Sequence, residues 1–117
     1  VQHIALATED IFETMRALGE SGFATLAIPA NYYDDLAARF NLPDELLKGM
    51  KSLNILYDED TGGTFFQCYS QVIGSGFFLE IIQRSDSYTG FGAPNAPFRI
   101  AAQKRESQTK GLPRISR

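Results

Sequence analysis

The sequence predicts an α+β domain with a mainly antiparallel sheet, on three observations. Residues 64–70 and 77–83 read as strands whose side chains sort onto two faces. The segment Asp58-Glu59-Asp60-Thr61-Gly62-Gly63 ahead of them is a turn of the kind that joins antiparallel strands. Before them, apolar residues recur at helical spacing at Ile11, Met15 and Leu18.

In order, residues 1–7 read as a short strand. Asp10 with Glu13 three positions on is a capping-box arrangement opening a helix that Gly19 and Gly22 close. Residues 23–28 read as a second strand stopped by Pro29. Residues 31–40 and 43–51 read as two short helices, Pro43 sitting where its missing N–H costs nothing. Residues 53–57, 64–70 and 77–83 are the third to fifth strands, with a break at Gly74–Gly76. A polar loop over 85–94 leads to a last helix opened by Pro97 and running to about residue 108, then a loose tail over 111–117. The pattern is β-α-β, a helical insertion, β-β-β, and a helix.

Composition narrows the function. With 44% hydrophobic and 21% charged residues, 117 residues make one globular module. No apolar run is long enough to span a bilayer and no signal-peptide pattern opens the chain, so a soluble protein without membrane association is expected. Cys68 is the only cysteine, which excludes an internal disulfide and points to a reducing cytoplasm; in its apolar run it reads as a small buried hydrophobe. Residues 1–98 carry 5 basic and 13 acidic side chains, and residues 99–117 carry 6 basic and 1 acidic. The acidic body argues against nucleic acid, and the basic end reads as a solvated helix face. The chain opens on Val1, already inside a strand-like stretch, so a preceding region is expected.

Strand alternation sorts the candidate chemistry. Glu80 shares a face with Phe78 and Ile82, Gln67 with Phe65 and Tyr69, and His3 with Val1 and Ala5. A carboxylate among bulky apolar residues must be paired, protonated or metal-bound. One histidine with one carboxylate is compatible with either a partial metal site or hydrogen-bonded buried polar groups. The acidic turn at Asp58, Glu59 and Asp60 is too short for a calcium loop. Tyr32, Tyr33, Asp34 and Asp35 read as a helix start with a solvated acidic face. Gly74-Ser75-Gly76 is too short for a phosphate cradle.

Val1-Gln2-His3-Ile4-Ala5-Leu6, Tyr32-Tyr33-Asp34-Asp35-Leu36, Phe66-Gln67, Phe78-Leu79-Glu80-Ile81-Ile82-Gln83-Arg84, Gly90-Phe91-Gly92 and Asn95 together resemble the C-terminal part of the 4-hydroxyphenylpyruvate dioxygenase family. The resemblance implies the vicinal-oxygen-chelate (glyoxalase) fold of paired βαβββ modules whose curved sheets enclose a metal, with residues 1–110 as the C-terminal module. It implies His3 and Glu80 as two of three ligands of a divalent ion, iron(II) first and Mg, Mn, Co or Zn as alternatives. The third, a histidine, would come from the preceding module. It implies Gln67 as a catalytic residue near the substrate, with Tyr69, Phe91 and Asn95 in substrate binding. The activity implied is oxygenation with O2 of a 2-oxo acid or aromatic substrate in aromatic catabolism, by an enzyme expected to be homo-oligomeric; the fragment alone is expected to be inactive.

The sequence departs from that family where substrate is chosen. Ala96 stands where the family commonly has a Phe against the substrate ring, and Tyr69 where it commonly has Phe. Either the pocket is wider and more polar, or Phe98 swings in to restore the wall. The run Asn95-Ala96-Pro97-Phe98-Arg99-Ile100-Ala101-Ala102-Gln103 is similar to dioxygenase-like domains fused behind a sugar-phosphate-isomerase-like barrel acting as 3-dehydroshikimate dehydratase. That likeness implies an alternative role as a metal-binding accessory domain of a lyase.

Overall fold

A computed structural model describes residues 2–74, 76–85, 88–90 and 92–110. Phe91 and the expected loose tail over 111–117 lie outside the described residues. The elements are β1 (Gln2–Ala7), α1 (Ile11–Glu20), α2 (Ala30–Arg39), α3 (Asp44–Leu53), β2 (Leu56–Glu59), β3 (Thr64–Tyr69), β4 (Phe77–Arg84), a 3-10 turn (Ala93–Asn95) and α4 (Ala96–Lys110). The four strands form one sheet in the order β1-β4-β3-β2. β1 runs parallel to β4 with His3 opposite Phe78 and Ala5 opposite Glu80, while β4–β3 and β3–β2 are antiparallel. The expected α+β class and mainly antiparallel sheet are borne out.

One face of the sheet is packed by helices. In α1 the Asp10 carboxylate accepts from the Glu13 N–H at 3.2 Å, as the capping arrangement predicts, and Ile11 and Met15 are buried one turn apart. β4 also holds this helix, because Gln83 Oε1 accepts from the Ile11 N–H at 2.7 Å. Gly22, at φ 92°, then turns the chain away as the left-handed residue after the helix. α2 contributes Tyr33 and Leu36 and α3 contributes Met50, which join Ile55, Cys68 and Ile81 in the core. Asp34 and Asp35 are solvent-facing, Asp35 pairing with Arg39 at 3.0 Å one turn on.

Two expected strands change. Residues 23–28 form no strand: Thr25 makes a single bridge to Ser70, with Leu26 N–H donating to the Tyr69 carbonyl at 2.8 Å. The next pairing is pre-empted by a side chain, since Asn54 Oδ1 accepts from the Ile28 N–H at 3.1 Å and Asn54 Nδ2 donates to Thr25 Oγ1 at 3.0 Å. Asn54 also moves the start of the third strand. It caps α3 in the left-handed conformation, φ 58°, a geometry Asn tolerates, so Leu53 is helical and β2 begins only at Leu56. The last helix opens at Ala96, one residue before Pro97.

Candidate metal centre

The other face of the sheet carries His3 and Ala5 from β1, Phe78, Glu80 and Ile82 from β4, and Phe65 and Tyr69 from β3. With Gly92, Ala93, Ala96 and Arg99 from the 3-10 turn and α4 they line a cavity of about 500 Å³. The parallel register sets His3 and Glu80 on neighbouring strands of this face, with His3 Nε2 3.5 Å from Glu80 Oε1. The imidazole stacks on the Phe78 ring, centroids 5.2 Å apart and planes 14° from parallel, which fixes its plane. The two groups differ in access: the His3 side chain is 51% exposed and that of Glu80 is 11% exposed.

Glu80 is held from behind by a chain of hydrogen bonds that crosses five elements. Gln67 Nε2 donates to Glu80 Oε2 at 2.7 Å and to the Tyr69 hydroxyl at 2.8 Å. Gln67 Oε1 accepts from Asn95 Nδ2 at 2.8 Å, and Asn95 Oδ1 accepts from the Tyr32 hydroxyl at 2.7 Å. That hydroxyl accepts in turn from the Tyr57 N–H at 2.9 Å. Gln67, Asn95 and Tyr32 are 1% exposed or less, so every link is desolvated and an unmade one would cost about 1–3 kcal/mol. Oε2 of Glu80 is thereby committed, and Oε1 is left for the cavity.

Gly92 is required at its position. Its φ of 69° lies in the left-handed region, and a Cβ there would fall 2.2 Å from Gln67 Oε1. Burial pushes the Tyr69 hydroxyl well above the ordinary tyrosine range, with the Glu80 charge adding to it and Arg99 opposing, so Tyr69 stays a neutral hydroxyl at the cavity wall. Tyr32 is raised likewise, chiefly by burial. Cys68 is buried away from the site, its thiol pushed up to about 12 by burial.

The donor set fits a divalent ion. An imidazole nitrogen and a carboxylate oxygen, each about 2.1 Å from a metal and at right angles to one another, lie about 3 Å apart. The observed 3.5 Å is within a small adjustment of that. Two ligands do not complete a site, and among the described residues no cluster of three or more His, Cys, Asp or Glu side chains is present.

The expected residues therefore separate. His3, Glu80 and Tyr69 meet at the cavity. Gln67 lies directly behind Glu80, and Asn95, expected at the substrate, is fully buried against Gln67 instead of lining the cavity. Phe98 does not swing in to replace an aromatic at Ala96; it packs edge-on against Tyr32, centroids 4.9 Å apart. Arg99, Gly92 and Tyr32 were not singled out as site residues by sequence reasoning. For Arg99 a signal existed, because Ala96 and Arg99 are three apart and share a helix face. For Tyr32 the signal was a polar tip on the buried stripe of α2.

Comparison with known proteins bears out the resemblance read from the sequence. The chain is 48% identical over 103 residues to a 3-dehydroshikimate dehydratase of Pseudomonas aeruginosa, covering 87% of this chain and 16% of that protein. It is 36% identical over 119 residues to a 4-hydroxyphenylpyruvate dioxygenase of Neurospora crassa, covering 95% of this chain and 29% of that one. Among solved structures, a fusion of a xylose isomerase-like TIM barrel with 4-hydroxyphenylpyruvate dioxygenase matches with a TM-score of 0.85 and 44% identity, over 90% of this chain and 17% of that chain. A mutant of 4-hydroxymandelate synthase from Streptomyces coelicolor matches with a TM-score of 0.79 and 32% identity, over 91% and 30%. No family model matches the sequence. The fold is that of dioxygenase-type vicinal-oxygen-chelate domains, and the chain spans less than a third of each of these relatives.

Proposed function

We propose that this chain is the C-terminal, metal-binding module of a dioxygenase-type enzyme, in which His3 Nε2 and Glu80 Oε1 hold a divalent ion, iron(II) in the first instance. The supporting observation is their convergence at 3.5 Å on the wall of a cavity, with the second carboxylate oxygen tied down by Gln67. A histidine from a preceding βαβββ module completes the facial set. Bound there, the ion supplies Lewis-acid and redox chemistry toward a chelating 2-oxo acid and O2. The chain's own residues orient and enclose. Gln67 and Asn95 keep Glu80 from rotating, a role that supporting residues of metal ligands commonly fill at 10–100-fold in affinity. Phe65, Tyr69 and Phe78 give the substrate an aromatic, largely dry wall. In full-length protein, His3→Ala and Glu80→Ala are each expected to abolish stoichiometric metal by elemental analysis; unchanged metal in both sinks the assignment.

A second reading, a metal-binding accessory domain of a bifunctional 3-dehydroshikimate dehydratase, is favoured by the 48% identity to the Pseudomonas protein and by Ala96 at the cavity wall. Oxygen uptake with 4-hydroxyphenylpyruvate separates the two. Poor turnover, improved in binding by Ala96→Phe, accords with the second. Efficient saturable turnover restores the first.

A further inference from the structure

We propose that the cavity beside His3 and Glu80 admits a single-ring substrate bearing a carboxylate, and that Arg99 selects it. The place of reaction rests on the metal-site reading above, whereas the anion site stands on the geometry of Arg99 itself.

Arg99 lies in the first turn of α4, three residues after Ala96, and both line the cavity. Its guanidinium is stacked over aromatic walls, 5.4 Å from the Phe78 centroid and 5.8 Å from that of Tyr69. Nη1 donates to Gln103 Oε1 at 3.0 Å. A guanidinium carries five N–H donors in a rigid fork, so this bond and the aromatic stacking orient it and leave donors for a ligand.

Its surroundings are short of acceptors. Among the described residues no carboxylate comes within 4.0 Å of Arg99, and the neighbouring Gln103 has a buried Nε2 without a hydrogen-bond partner. A half-buried cation on a cavity wall, with no carboxylate in contact with it, carries a desolvation cost that an anionic ligand removes, and a carboxylate matches the fork. Arg84 adds positive charge on the same cavity, stacked 4.8 Å over the Phe65 ring. The ring of the ligand takes the room that Ala96 leaves, against Phe78 and Tyr69. About 500 Å³ suits a one-ring acid.

Stacking on Tyr69 and Phe78 would by itself explain Arg99 as a structural residue, and such a role would not discriminate charged from neutral ligands. The test therefore measures discrimination, in full-length protein stripped of metal by chelation. Benzoate and its neutral amide, benzamide, are titrated calorimetrically. Benzoate is expected to bind at least about tenfold more tightly, about 1.4 kcal/mol. Arg99→Leu and Arg99→Gln are expected to erase the difference, while Arg99→Lys keeps part of it, retaining charge without the fork. Equal binding of the two ligands by the unsubstituted protein overturns the proposal, as does a carboxylate preference that survives Arg99→Leu or Arg99→Gln. Elemental analysis of the reloaded variants keeps the readings apart. Selectivity lost with metal content intact reports on Arg99, and metal absent from the unsubstituted protein reports on the metal site.

Discussion

The two faces of the sheet are built from alternate residues of the same strands, yet they solve burial in opposite ways. On the helix-covered face, Cys68 and Ile81 meet Ile11, Leu36 and Met50, and apolar contact finishes the work. On the cavity face, Gln67 and Glu80 are nearly as buried, and their polar atoms are satisfied by a chain that runs through Asn95 to Tyr32. That chain has one free end, Oε1 of Glu80, and it opens on the cavity beside His3. The contrast teaches that one face stores stability while the other stores orientation, so damage to each should be read by a different instrument.

The largest effect should come from the packed face. Leu36→Ala removes a fully buried side chain and is expected to cost about 2–5 kcal/mol in the urea unfolding of full-length protein. Molecules that remain folded should keep full metal content, and a loss of metal at constant fold would blur the contrast between the faces. Next, Asn95→Leu leaves buried Gln67 Oε1 without its donor, while the Tyr32 hydroxyl keeps Tyr57, at about 1–3 kcal/mol in stability. It is also expected to weaken metal binding about 10–100-fold, measured by competition with a chelator. Equal metal affinity in this variant would mean that Glu80 needs no support from behind.

The last effect is confined to alkaline pH and vanishes near neutrality. Cys68 has its folded pKa raised from 9.0 to about 12 by burial, so the folded state disfavours the thiolate. Its contribution is complete below pH 9 and is lost as pH rises toward 12, because only the unfolded chain ionises readily there. The unfolding midpoint should fall over that window, and Cys68→Ala should flatten the fall. Below it, the native thiol should resist a disulfide reagent, and rapid modification at pH 8 would contradict its burial.

Much of this was legible because strand alternation is a geometric rule. Sorting His3, Gln67 and Glu80 each with the apolar residues of its own strand face needed only the period of two, and the cap at Asp10 only its spacing to Glu13; the register that brings the three onto one face came from the fold. What escaped depended on side chains reaching across the fold. Residues 23–28 have strand composition, but Asn54, from a different element, takes the Ile28 N–H that a ladder would have used. Asn95 was expected at the substrate because the family resemblance implies it there, and only the turn at Gly92 folds it inward onto Gln67. Arg99 was counted with a basic tail, since net charge does not say which face of a helix a cation occupies.

The edge position of β1 has a consequence of its own. Among the described residues only β4 flanks this strand, Ile4 and Leu6 are each 49% exposed, and every described residue of the strand faces solvent to a large degree. Half of the ligand pair thus rides on the margin of the sheet and the other half on an interior strand. An ion bridging His3 and Glu80 would act as a cross-link between residues far apart in sequence, closing a long loop and fastening the margin to the interior. Binding and strand docking are then linked equilibria. At an ion concentration of one hundred times Kd, mass action would add about 2.7 kcal/mol against fraying of β1, and chelation would show first as faster amide exchange along residues 2–7.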